Sequence, residues 1–72
     1  MPLILATKGN EMNIKKIIGN DETKRFLNSL GFVVGENVRI ISELGGNLII
    51  NVKDSRIALD KGMASRIIVQ EA

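Results

Sequence analysis

The chain has 72 residues, a formal net charge of +2 from ten Lys and Arg against eight Asp and Glu, and neither Cys nor His. Disulfides, Cys-based zinc sites and thiol chemistry are therefore excluded, and the commonest acid–base group and metal ligand of neutral pH is missing. A domain of this size buries only roughly 60% of its unfolded surface, so its core must be efficient or be helped by a partner.

The segment "PLILA" opens with Pro2, which cannot donate to a ladder. Leu3 to Leu5 is expected as an edge strand or a tucked arm, followed by a turn at Lys8, Gly9 and Asn10. In "EMNIKKII", Met12 and Ile14 alternate with Glu11, Asn13 and Lys15, the pattern of a half-buried strand. The alternation breaks at Lys16-Ile17-Ile18, which marks a bulge or bend.

"NDETKRFLNSLG" predicts the one substantial helix. Asn20 or Asp21 can cap it, and Asp21 and Glu22 sit in the first turn, where the helix dipole favours anions. Thr23, Phe26, Leu27 and Leu30 recur at helical spacing and predict one core-facing stripe. Gly31 then falls where a left-handed residue ends a helix, with Phe32 placed to touch Leu27. Val33-Val34-Gly35-Glu36 fits a type II turn, because Gly35 occupies the position that requires positive φ.

A meander follows. "NVRIISEL" carries Val38 and Ile40 on one face, "GG" marks a hairpin, and "LIINVK" alternates Leu48, Ile50 and Val52 against Ile49, Asn51 and Lys53. A second tight turn is expected at Asp54-Ser55. "RIALD" places Ile57 and Leu59 together, "KGMAS" gives at most one helical turn capped by Asp60, and "RIIVQ" closes through Ile67 and Val69. The order predicts a mainly β fold, a small antiparallel barrel with one inserted helix and a short helical turn before the last strand. Closing the barrel would remove its exposed edges.

No apolar run is long enough to span a bilayer, and the start lacks a secretory signal, so a cytosolic protein is the expectation. No catalytic constellation stands out, since Ser29, Ser42, Ser55 and Ser65 have no His partner and no carboxylates pair. Of the carboxylates, only Asp21 and Glu22 adjoin, and a helix start accounts for them. Arg39, Arg56 and Arg66 read as solvated charges on strand faces. The basic residues look spread over every element, which argues against a nucleic-acid face. Val33, Val34, Ile41, Leu44 and Ile49 fall on outward phases or in loops and are the candidate docking residues. Val33, Val34 and Leu44, from the loops flanking the second strand, are expected to form one rim. The helix surface at Lys24, Arg25 and Asn28 is the alternative.

The stretches "PLILATKG", "LNSLGFVVGENVRII" and "RIALDKGMASRIIV" resemble the ferrous iron transport protein A (FeoA) family, and the FeoA-like domain of some iron-dependent repressors. The likeness covers essentially the whole chain. "LGFVVGENV" is its most specific part, with Val34 standing where the family usually has Pro. The resemblance implies an SH3-like barrel and a cytosolic accessory role in ferrous iron uptake; the absence of His and Cys leads to the expectation of no metal or cofactor of its own. The resemblance also implies a FeoB-type membrane transporter as partner, contacted at its cytosolic GTP-binding part. A nucleic-acid-binding barrel is the alternative from another class.

Overall fold

A computed structural model describes all residues, 1–72. Five strands, β1 (Glu11–Ile17), β2 (Asn37–Leu44), β3 (Asn47–Val52), β4 (Ser55–Asp60) and β5 (Ile67–Glu71), form one antiparallel sheet in the order β4-β3-β2-β1-β5. Helix α1 (Asp21–Ser29) joins β1 to β2, and the single turn α2 (Lys61–Ala64) joins β4 to β5. The inward phases of the strands supply most of a core of 15 buried residues, all apolar, to which Leu3, Leu27, Phe32 and Ala64 are added.

The strands follow their alternation, with two departures. The register of β1 against β5 shifts between Ile14 and Lys16, so Lys15 and Lys16 both point to solvent while Ile17 returns to the core. That is the bulge expected where the alternation breaks. A second shift, between Ile40 and Ser42, leaves Ile41 as the extra residue of β2 against β3.

Helix α1 begins as predicted. The Asn20 side chain accepts a hydrogen bond from the Thr23 amide at 2.8 Å. Its ending is a Schellman motif: the Phe32 N–H donates to the Leu27 carbonyl at 3.0 Å and the Gly31 N–H to Asn28 at 3.0 Å. Gly31 sits at φ 104°, and Leu27 and Phe32 are both fully buried. Phe26 departs from expectation. It is 47% exposed, because one helical residue turns about 100° and the Leu27–Phe32 contact decides which side faces inward.

The N-terminus also differs. Leu3–Leu5 is a 3₁₀ turn, closed by the Leu5 and Ala6 amides donating to Pro2 and Leu3 carbonyls, with Leu3 buried in the core. The tucked-arm reading therefore holds and the strand reading does not. The tight turn after β3 lies at Lys53-Asp54, one residue earlier than expected, because Ser55 already pairs with Val52.

The sheet does not close by strand pairing. β4 and β5 are its two edges and are not hydrogen-bonded to each other. At this seam α2 contacts β4 and the 3₁₀ turn, and the 3₁₀ turn contacts β5, but no backbone hydrogen bond from either reaches Arg56 or Ala58 of β4. The Asp60 carboxylate caps α2 by accepting the Met63 amide at 2.7 Å.

Candidate docking surface

The type II turn that presents Val34 is built as the sequence specifies. The Glu36 amide donates to the Val33 carbonyl at 3.0 Å, and Gly35 takes φ 93°. Strand β1 then fixes the turn in place. The Gly35 amide donates to the Ile14 carbonyl at 2.8 Å, and the Ile14 amide donates back to Glu36 at 2.9 Å. The Asn13 side-chain Nδ2 donates to the Gly35 carbonyl at 2.9 Å and to Asn37 Oδ1 at 2.8 Å. Asn37 in turn donates to Glu11, which also pairs with Arg39 at 3.1 Å. Val34 is 65% exposed at the tip of this clamped turn, while Val33 is half-buried beneath it. An apolar side chain on a backbone held by four hydrogen bonds loses little freedom when a partner covers it.

Val34 borders a groove of about 280 Å³ lined by Lys15, Lys16, Ile17, Lys24 and Asn28. The β1 bulge turns both Lys15 and Lys16 outward, and α1 brings Lys24 and Asn28 to the opposite wall. Three cations thus meet at one place, contrary to the even spread suggested by the linear order. The alternative helix surface at Lys24 and Asn28 and the candidate Val34 turn out to be one surface.

The other candidates lie elsewhere. Leu44 ends β2, so it stands at the opposite end of that strand from Val33 and Val34, roughly 20 Å away at the usual rise per residue. The single rim expected for Val33, Val34 and Leu44 is therefore not formed, since loops at the two ends of one strand face opposite rims. Leu44 is 72% exposed. Ile41, at the bulge, and Ile49, paired with Ser42, are half-buried on the outer face of the meander.

Linear reasoning missed another apolar surface. Phe26 and Met63 line one shallow cavity with Asn20, Glu22 and Thr23, between α1 and α2. The signal that could have found it is the Schellman pairing itself, which assigns Leu27 to the core and leaves Phe26 on the flank of the helix. Ile18 is also exposed.

No three carboxylates converge into a metal-holding group. The charged pairs, Arg39–Glu11 and Lys61–Glu43, are solvent-exposed, and no helix is long and apolar enough to cross a membrane.

The fold and surface define a class: a small SH3-like module whose surface carries exposed apolar residues and a local cluster of lysines. The sequence matches the FeoA domain over residues 1–71, and the chain belongs to that family. It is 35% identical over 71 residues to "Putative Fe(2+) transport protein A" of Methanocaldococcus jannaschii, covering 99% of this chain and 87% of that protein. Among solved structures it superimposes on an iron uptake regulatory protein, FeoA, with a TM-score of 0.91 at 26% identity, covering 100% of this chain and 97% of that one. The zinc complex of Stenotrophomonas maltophilia FeoA, described as a prokaryotic SH3 domain protein, gives a TM-score of 0.82 at 32% identity, covering 97% and 89%. The same fold forms 41% of a manganese-dependent transcriptional repressor, with a TM-score of 0.88 at 17% identity, a likeness of fold alone.

Proposed function

We propose that this protein is a cytosolic accessory factor of ferrous iron uptake, which binds the cytosolic GTP-binding part of a FeoB-type transporter and modulates it by contact. The observation that carries this reading is membership of the FeoA family over nearly the whole chain, together with 35% identity to a named Fe(2+) transport protein. The surface supports a binding role. Val34 is offered on a clamped turn beside Lys15, Lys16 and Lys24, which suits a partner with an apolar pocket ringed by acidic groups.

Because Val34 and Leu44 sit at opposite ends of β2, single charge insertions separate the two surfaces. Val34→Glu and Leu44→Glu are both expected to leave the circular dichroism spectrum unchanged, since both side chains are in solvent. Calorimetric titration against the transporter's cytosolic domain is expected to show lost binding for Val34→Glu and parent-like binding for Leu44→Glu. The opposite pattern moves the contact to the outer face of the meander. Parent-like binding by both removes both surfaces. Failure of the parent protein to bind overturns the accessory reading itself.

The lysine cluster favours one second reading, an anionic nucleic-acid strand in the groove. Such binding falls steeply with salt through counterion release. Salt-sensitive capture of an oligonucleotide near physiological ionic strength, abolished by Lys15→Ala and Lys16→Ala together, would establish it.

A further inference from the structure

The two edges of the sheet are finished differently. The outer edge of β5 is occupied by the N-terminus. The Val69 amide donates to the Met1 carbonyl at 2.7 Å, the Met1 ammonium donates to the Val69 carbonyl at 2.8 Å, and Pro2 bridges Ile68. The outer edge of β4 carries nothing comparable. The two-residue loop Lys53-Asp54 closes on the pair Val52–Ser55, and Ile50–Ile57 and Leu48–Leu59 follow in the same phase. Ser55, Ile57 and Leu59 therefore turn their N–H and C=O groups toward β3, and Arg56 and Ala58 turn theirs outward. No backbone hydrogen bond from outside the ladder reaches Arg56 or Ala58. Arg56, Ala58 and Asp60 are also exposed as side chains, all on the outer face.

A bare edge is a template for another strand, and natural edges are usually guarded by charge. Here the charges select instead of repelling. If two copies of β4 pair antiparallel about an axis at Ala58, each Arg56 lies opposite Asp60 of the second copy, with the two small Ala58 side chains between. The inner face sets Ile57 opposite Leu59 of the second copy. Slipping the register by two residues toward the N-terminus sets Asp54 opposite Asp60. Slipping by four sets Arg56 opposite its own equivalent. Opposite charges directly across an antiparallel pair stabilise it and like charges destabilise it. One register is thus favoured and its neighbours are penalised.

We propose that the free edge of β4 is the interface of a two-fold homodimer, in which the β4 strands of two copies pair antiparallel through Ala58 and join two five-stranded sheets into one. The Asp60 carboxylate serves both roles, since one oxygen caps α2 through Met63 and the other remains for Arg56 of the second copy. The Val34 groove lies on α1 and β1 and takes no part in the interface.

The chain has no Cys, so a single introduced Cys reports only intermolecular contact. In the proposed register the two Ala58 Cα atoms are about 5.5 Å apart, within disulfide range. The two Arg56 Cα atoms are four residues out of phase, about 13 Å apart, beyond that range. Under mild oxidation Ala58→Cys is expected to give a covalent dimer and Arg56→Cys to remain monomeric. Sedimentation equilibrium from micromolar to millimolar protein is expected to show a monomer–dimer equilibrium for the parent chain. Ala58→Pro should remove the dimer while leaving circular dichroism unchanged, because the lost N–H points away from β3. Arg56→Asp should weaken association on the order of tenfold, since both cross-strand pairs become repulsive. A parent chain that stays monomeric throughout, equal cross-linking at positions 56 and 58, or dimerisation unaffected by Ala58→Pro each overturns the proposal.

Discussion

Phe26 and Phe32 are the only aromatic residues, and in sequence both read as core. Only Phe32 is buried, because the helix ending fixes it against Leu27, whereas Phe26 has its ring half in solvent. Helical spacing alone cannot choose between residues 26 and 27, since both fall within a stripe about 100° wide. The two positions should respond differently to truncation. Phe32→Ala is expected to cost about 3–5 kcal/mol and Phe26→Ala less than about 1.5 kcal/mol, measured by chemical denaturation. The two turns between α1 and β2 were legible, because glycine at a fixed offset states a backbone requirement directly. At Gly31 a new Cβ would meet Val52 at an ordinary 3.5 Å, so the penalty for Gly31→Val comes from φ 104° and not from crowding. It should destabilise by about 1–3 kcal/mol. Val34→Pro is expected to be neutral or to stabilise by a few tenths of a kcal/mol. Proline suits that position of a type II turn, and the Val34 amide makes no hydrogen bond in the turn or to β1. Unfolding by Val34→Pro would contradict the turn assignment.

Elements were legible where one physical signal dominated. The five strands show their inward residues in sequence as Met12 and Ile14, Val38 and Ile40, Leu48, Ile50 and Val52, Ile57 and Leu59, then Ile67 and Val69, and all of these are buried except Ile57, which is half-buried against the core. The 3₁₀ turn at Leu3–Leu5 was not legible as such, because three aliphatic residues after a proline fit a strand equally well. The Lys53-Asp54 turn was misplaced by one residue because it places Lys53, not a glycine, at φ 55°. The helix caps were read correctly and are testable. Asn20→Ala and Asp60→Ala each remove the acceptor for one first-turn amide, and each should cost about 1 kcal/mol in thermal or urea unfolding. Asp60→Asn keeps an acceptor and should recover most of that loss. If Asp60→Asn and Asp60→Ala are equally unstable, the cap bond is not what holds α2.

For the molecule as a whole, the mainly β, SH3-like architecture expected from sequence is present as one five-stranded antiparallel sheet, in which β4 and β5 do not pair and α2 and the 3₁₀ turn lie at the seam between them. The candidate surface was legible only in part, because lysines and Val34, far apart in sequence, meet through a bulge and a helix that no linear pattern relates. Iron binding belongs to this scale too. With neither His nor Cys and no converging carboxylates, anaerobic calorimetry with Fe(II) is expected to show no tight stoichiometric site on the isolated protein. The seam also decides how stability depends on the N-terminus. A chain of this length has about 4–11 kcal/mol of stability to lose. Leu3 is fully buried between β5 and α2, whereas Leu5 is 68% exposed. In a strand, residues 3 and 5 would share a face, and truncating either would have similar consequences. In the 3₁₀ turn they point to different sides. Leu3→Ala is therefore expected to cost about 2–5 kcal/mol, a large share of the total, through lost burial and the cavity left at the seam. Leu5→Ala should fall within about 0.5 kcal/mol of the parent. Urea unfolding of the two variants side by side distinguishes the arrangements, and equal losses at both positions would show that the N-terminal segment packs as a strand.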